Sequence, residues 1–348
     1  MDSPAEFLGI PVDARSSALL HAHNLVTRNF HILPQTRAEV RIVAVGAGEA
    51  GQRLDNFLLK RLPGVPKSHV YRLLRSGQVR VNGGRSKPSR KLELEDQVRI
   101  PPVRTAERPN QARPPDDLQR RLEAALIHED SSFLAFNKPA GLAVHGGSGV
   151  LFGVIEVARA WDRHEFLELA HRIDRETSGV LLLAKSRPAL LHAQQAFRDG
   201  HTRKFYLALL DGVWKGGPKD VHLALSRDHE QGGERRVQAD AEGRAAHSRF
   251  EPLERFADST LVRVQIFSGR MHQIRVHAQS LGMPLAGDAK YGDAQRNQAW
   301  RRRGLKRMFL HAQQLQLNAA PGFDDLHLQA PLASELEQVL TTLRGQNS

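Results

Sequence analysis

The residues whose types and spacing could do chemistry lie in HRIDRETSGVLLLAKS, residues 171 to 186, where Asp174 stands between Arg172 and Arg175. Thr177-Ser178-Gly179 then supplies a turn, and Val180 to Leu183 an aliphatic strand. A polar loop that runs directly into such a strand leaves its last residues at a sheet edge, where a cleft can form. Asp174 is therefore expected at the mouth of a pocket. A carboxylate held there can take a proton, attack an electrophilic carbon or stabilise positive charge. The stretch alone is equally compatible with an aspartate that caps its own turn or joins an ordinary ion pair.

Two other segments add groups. In TRKFYLALL (202–210), Phe205, Leu207 and Leu209 fall on one strand face, while Tyr206 shares the other with Ala208. That placement suits an aromatic facing a cleft beside a small neighbour, although a second core layer would give the same pattern. In STLVRVQIFSGRMHQIRVHAQSLG (259–282), Val262, Val264 and Ile266 alternate inward. After Gly269 the chain turns into a helix whose buried side is Ile274, Ala278 and Leu281. Arg275 lies next to that apolar stripe, where a charge needs a partner.

These groups have to be positioned by a folded body, and 348 residues are enough for two domains. A hydrophobic share of 40% with 25% charged residues is that of a globular protein. No apolar run approaches the roughly 18 residues a membrane span needs. MDSPAEFLGI also lacks the basic-then-apolar order of a signal peptide, so a cytoplasmic location is expected. The absence of cysteine excludes disulfides, iron–sulfur clusters, thiolate zinc sites and thiol nucleophiles. Lys plus Arg number 50 against 38 acidic residues, a net charge of +12 that points to a polyanionic partner, nucleic acid before membrane.

Residues 1–38 mix Pro, Ser, His and Asn without periodicity and are expected to form a poorly ordered arm. Residues 39–101 read as a small, basic α+β module. Leu54, Phe57, Leu58 and Leu62 have helical spacing, as do Val70, Leu73 and Leu74 after a cap at Ser68, and Asn82-Gly83 is a tight-turn pair. Lys67, Arg72, Arg75 and Arg80 lie where acids are scarce, which favours RNA phosphate contacts over a merely solvated face. Residues 102–120 include most of a five-proline stretch, PPVRTAERPNQARPPDD, and read as a linker. Residues 121–345 carry strand-like runs at 133–137, 180–185, 204–210, 260–267 and 308–317, with helical stretches at 151–161, 187–199 and 271–281. An α+β domain with a mostly antiparallel mixed sheet flanked by helices is expected.

Several of these segments resemble one family. HRIDRETSG is similar to the catalytic motif of RluA-type pseudouridine synthases, KFYLAL to their tyrosine motif, and GRMHQIRVHAQSLGMPLAGDAKYG to their arginine motif. NKPAGLAVHGGSG (137–149) resembles their opening strand and loop, and RLDNFLLKRLPGVPKSHVYRLLRSGQVRVNG an S4 RNA-binding domain. Other phrases resemble the branch that modifies several uridines of large-subunit (23S) rRNA. The resemblance implies isomerisation of uridine to pseudouridine with no cofactor and no metal, by an enzyme that works as a monomer in ribosome maturation. It implies that Asp174 attacks the ribose or removes a proton from it, that Arg275 is its ion partner and that Tyr206 stacks on the uracil. Arg172 is implied to prise the target from its helix, with His171, Lys138 and His145 contributing RNA contacts. Ile173 stands where Leu is common, a volume-conserving change, and Met271 where Thr is usual, which removes a hydroxyl.

Other chemistries fit less well. His272 and His277 are five apart rather than the four that align metal ligands on a helix, and no His-Glu-x-x-His occurs. Ser178-Gly179 lacks the Gly-x that precedes a nucleophile elbow, and GGSGVLFG lacks the Lys-Ser/Thr ending of a phosphate loop.

Overall fold

The computed structural model describes residues 39–62, 65–103, 113–147, 150–226, 229–231 and 234–346. The expected N-terminal arm and much of the expected linker lie outside them. The N-terminal module consists of β1 (Arg41–Ala44), α1 (Leu54–Arg61), α2 (Lys67–Arg75), β2 (Arg80–Val81) and β3 (Gln97–Ile100). Its strands pair antiparallel in the order β1-β3-β2. Leu54, Phe57 and Leu58 of α1 pack against Val70, Leu73 and Leu74 of α2 in one core. Helix α2 starts at Lys67 behind Pro66, so Ser68 is not the cap. The proline ring fixes φ at −57° and pre-sets the helix entry, leaving Ser68 inside the first turn. Asn82 and Gly83 have φ of +50° and +78°, the paired positive values of a two-residue hairpin turn.

The larger domain runs α3 (Asp116–Glu123), β4 (Leu126–Glu129), β5 (Phe133–Lys138), α4 (Val154–Arg159), β6 (Glu168–Leu169), β7 (Ser178–Ala184) and α5 (Arg187–Asp199). It continues with β8 (Thr202–Leu210), β9 (Lys219–Leu225), β10 (His229–Gln231), β11 (Glu234–Arg236), β12 (Arg244–Arg255), β13 (Thr260–Ile266) and α6 (Gln273–Ser280). Helix α7 (Ala294–Arg302), β14 (Leu310–Leu317), β15 (Leu326–Gln329) and α8 (Ser334–Gln346) complete it. Ten strands form one sheet in the order β4-β5-β7-β14-β8-β13-β12-β9, with β6 on β7 and β15 on β14. All of these pairs are antiparallel except β7 with β14. The expected α+β class and mostly antiparallel mixed sheet are observed.

Strand β7 is buried on both faces, which is why its sequence is a continuous aliphatic run rather than an alternation. Val180, Leu182 and Ala184 pack on α5, and Leu181 and Leu183 on α4. Burying each leucine contributes about 2 kcal/mol. The two halves of the sheet meet where Ser178 and Gly179 pair with His311 and Ala312, only two residues long. Ser178 Oγ and His311 Nδ1 are 2.9 Å apart there, and Arg307 Nη2 donates to the same Oγ at 2.9 Å.

Gly179 is required at this seam. Its φ is +112°, and a Cβ built on it would lie 2.1 Å from the carbonyl oxygen of Ala312. Gly179→Ala is expected to cost at least about 3 kcal/mol, because backbone on both strands would have to separate. Urea unfolding followed by far-UV circular dichroism measures this, and a change within about 0.5 kcal/mol would contradict the close approach.

Candidate active site

The loop between β6 and β7 is held from below. Ile173 is buried in the α4-side core, and the N–H of Thr177 closes a turn on the carbonyl of Asp174 at 3.1 Å. Lys138 Nζ donates to the carbonyls of Pro139 (2.8 Å), Leu142 (2.8 Å) and Arg175 (3.1 Å). Gly141 N donates to the same Arg175 carbonyl at 2.8 Å, and Arg175 Nε donates to the Gly141 carbonyl at 2.9 Å. The turn at 139–142 thereby fixes the backbone on the far side of Asp174.

Held in this way, the half-buried Asp174 side chain makes no hydrogen bond and no ion pair with any described residue. It neither caps its turn nor pairs with Arg172 or Arg175. It lines a cavity of about 660 Å³, within the size range of small-molecule sites. His171, Arg172, Tyr206 and Arg275 line the same cavity. An unpartnered carboxylate on a concave surface is open to a ligand.

Tyr206 lies at the centre of the sheet, paired with Val264 on β13 and Ala312 on β14. It packs on two core clusters and also faces the cavity, so both readings of its strand position hold. Burial, and then the charge of Asp174, push its phenol well above the usual range, so it stays protonated.

Arg275 is placed differently from the expectation. It is 7% exposed, and its direct partner is Asp288 rather than Asp174. Nε and Nη2 donate to the two oxygens of Asp288 at 2.7 and 2.6 Å, a bidentate pair that satisfies both groups. Asp174 acts on Arg275 only through its charge. The guanidinium also lies 4.9 Å from the centre of the Tyr291 ring. The Tyr291 hydroxyl accepts from Val237 N at 3.0 Å and lies 2.8 Å from Nδ1 of His272, a cavity-lining residue with φ of +52°. Asp288 is fully buried and takes two further donors, Lys290 N at 2.9 Å and Tyr291 N at 3.0 Å. Burial pushes its carboxyl up, but the Arg275 bonds, its charge and these N–H groups hold it below the usual range. The demand of a buried Arg275 for a partner was the only signal in the sequence for Asp288.

The expected RNA contacts divide. Arg172 is exposed on the cavity rim and makes no ion pair with a described residue. His171 lines the cavity but is tied to the sheet, its Nε2 accepting from Leu182 N at 3.0 Å. Burial, with the Lys204 charge adding to it, pushes that ring down to about 4, so it is a neutral acceptor rather than a cation at pH 7. Lys138 cannot contact RNA, because it is fully buried among the three carbonyls above, with burial pushing it down to about 7. His145 is exposed, with Nδ1 2.8 Å from the Gly146 carbonyl, and does not line the cavity. Lys67, Arg72, Arg75 and Arg80 are exposed on the N-terminal module, and the three on α2 make no ion pair with a described residue.

Comparison with known proteins places this arrangement. The chain is 48% identical over 312 residues to Ribosomal large subunit pseudouridine synthase C of Salmonella typhi, covering 88% of this chain and 98% of that one. The chain belongs to the RNA pseudouridylate synthase family. The model of that family matches residues 132–280, and the S4 domain model matches residues 52–98. The protein of the same name from Escherichia coli (strain K12) is 48% identical, covering 88% of this chain and 97% of that one. The solved structure of Human RNA Pseudouridylate Synthase Domain Containing 4 is 28% identical with a TM-score of 0.54, covering 66% of this chain and 96% of that one. The pseudouridine synthase fold and the S4 domain of this chain are thus those of a pseudouridine synthase, an isomerase.

Asp288→Asn keeps the shape and removes the charge, leaving the Arg275 guanidinium buried beside a neutral group. A loss of about 3 kcal/mol or more is expected above pH 4. Because the folded carboxyl is held below its unfolded value, that difference should be constant at higher pH and close as pH falls below about 4. Urea titrations of both proteins across pH 3 to 8 check it; a gap that persists unchanged to pH 3 contradicts the pairing.

Proposed function

We propose that this protein isomerises uridines to pseudouridine in large-subunit (23S) rRNA, with Asp174 as the reactive group. The observation that carries the reading is the Asp174 carboxylate, without a partner among the described residues, on the wall of a cavity shared with Tyr206 and Arg275. The shared name of the relatives supports the class of RNA.

The reaction breaks the bond between N1 of uracil and C1′ of the ribose, turns the base, and joins C5 to the same carbon. The C5 proton is lost and N1 ends with a proton, so atoms and electrons balance and no cofactor is required. Breaking the N-glycosidic bond develops positive charge on the sugar, which a carboxylate can stabilise, trap covalently or relieve by taking a ribose proton. Each route begins with the Asp174 oxygens at the ribose. Tyr206 offers a flat, protonated ring on which the uracil stacks. Arg275, immobilised by Asp288, supplies a fixed positive field to the cavity. Arg172 at the rim is positioned to fill the gap left by a base that has swung out of its stack, as any base in a helix must before it reaches Asp174. The S4 module holds the RNA backbone through Lys67, Arg72, Arg75 and Arg80. Large-subunit rRNA as the substrate implies a cytoplasmic enzyme of ribosome maturation.

The competing reading is an rRNA-binding protein that uses the same fold without catalysis. Asp174→Asn separates the two. Pseudouridine formation on a 23S rRNA transcript should fall by at least ~10³-fold, while RNA affinity stays within about three-fold, which is less than 1 kcal/mol. Equal product from the two proteins would eliminate the catalytic role.

The module makes a separate prediction. If four phosphates are neutralised there, changing Lys67, Arg72, Arg75 and Arg80 together to Gln should make the slope of log affinity against log salt less negative by about 3. Filter-binding titrations from 50 to 300 mM KCl read this directly, and an unchanged slope would remove the module from the RNA contact.

A further inference from the structure

The wall of the Asp174 cavity formed by Arg172, Met271, His272 and Arg275 is shared with a second cavity of about 840 Å³. Arg175, Lys290, Arg301, Lys306 and Arg307 line it as well, and among the described lining residues Glu176 is the only carboxylate. Some of this charge is compensated. Arg275 is held by Asp288, Arg307 by Glu335 at 2.9 Å, and Arg175 has Glu176 at 3.8 Å. Arg172, Arg301 and Lys306 are exposed and make no ion pair with a described residue.

The surrounding surface has carboxylates where it uses them. Arg296 of α7 pairs with Asp211 at 2.6 Å, and Arg303, just past the end of that helix, pairs with Asp258 at 2.7 Å. The cations that point into the cavity stand on fixed supports: Arg301 follows the buried Trp300, and Lys306 follows the buried Leu305. Uncompensated cations converging on a concave surface repel one another and raise the local potential, an arrangement that favours an anion. Among the described residues that line this cavity there is no Phe, Tyr or Trp on which a base would stack, whereas Tyr206 and Phe197 line the first.

We infer that the second cavity holds the phosphates of the nucleotides flanking the flipped uridine, with Arg172 on the boundary between the base and its backbone. This rests on the proposed function and assigns the neighbouring stretch of the same RNA strand. Arg301 and Lys306 are then binding residues, contributing to affinity and register and not to the chemical step.

The full-length protein carrying Arg301→Gln and Lys306→Gln tests it, both positions being exposed. Against a 23S rRNA transcript, the slope of log affinity versus log salt should become less negative by about 1.4, two phosphates at roughly 0.7 each. Protection of phosphorothioates from iodine cleavage should disappear next to the modified uridine. In a Lys67→Gln, Arg75→Gln control the slope should also fall, but protection beside the uridine should remain. Active wild-type protein together with an unchanged slope, or with unchanged protection beside the uridine in the double variant, overturns the inference alone. Wild-type protein that binds the transcript but forms no pseudouridine overturns the proposed function and this inference with it.

Discussion

A carboxylate that no described residue hydrogen-bonds or pairs with is the constraint on which the rest of this structure depends. Half-burying such a group is costly unless its oxygens find donors. Asp174 has none among the described residues, although cations are abundant nearby. Three of them are engaged elsewhere, Arg275 on Asp288, Lys138 on three carbonyls and Arg175 on the Gly141 carbonyl, while Arg172 stands exposed at the rim. None of the three occupies the Asp174 oxygens, which stay open to the cavity.

That arrangement needs a rigid frame, and the sheet supplies it. The Asp174 loop feeds directly into β7, Tyr206 lies on β8, and β14 joins the two through the short parallel seam at Gly179 and Ala312. Side chains from separate halves of the sheet therefore share one cavity, and the αL residue His272 brings α6 and Arg275 in from a third direction. The positive charge is distributed in the same order. One patch lies on the S4 module and a second lines the cavity next to Asp174.

Much of this was legible in the sequence because local rules act strongly there. The aliphatic run of β7, the turn before it, the alternation in β13 and the Asn82-Gly83 hairpin all follow from short-range patterns, as do the motifs that name the family. What was not legible depends on pairing at a distance. The spacing of Arg275 showed that it needed an anion, but not that the anion would be Asp288 across a turn, and the resemblance suggested Asp174 instead. Lys138 in a motif reads as an RNA contact, yet three carbonyls enclose it, since composition cannot tell an inward ammonium from an outward one. Strands β9 and β12 carry charged and polar residues on their exposed face and gave no clear apolar period. The second basic cavity draws on residues from 172 to 308, which only the fold brings together.

The most direct test of the Asp174 role is a crystal structure of the Asp174→Asn protein bound to an RNA hairpin carrying a target uridine. The account predicts an extruded nucleotide in the 660 Å³ cavity, its uracil on Tyr206 and its ribose C1′ or C2′ within about 3.5 Å of the residue 174 side chain. A target uridine still stacked in its helix, or seated with its ribose turned away from residue 174, would contradict it.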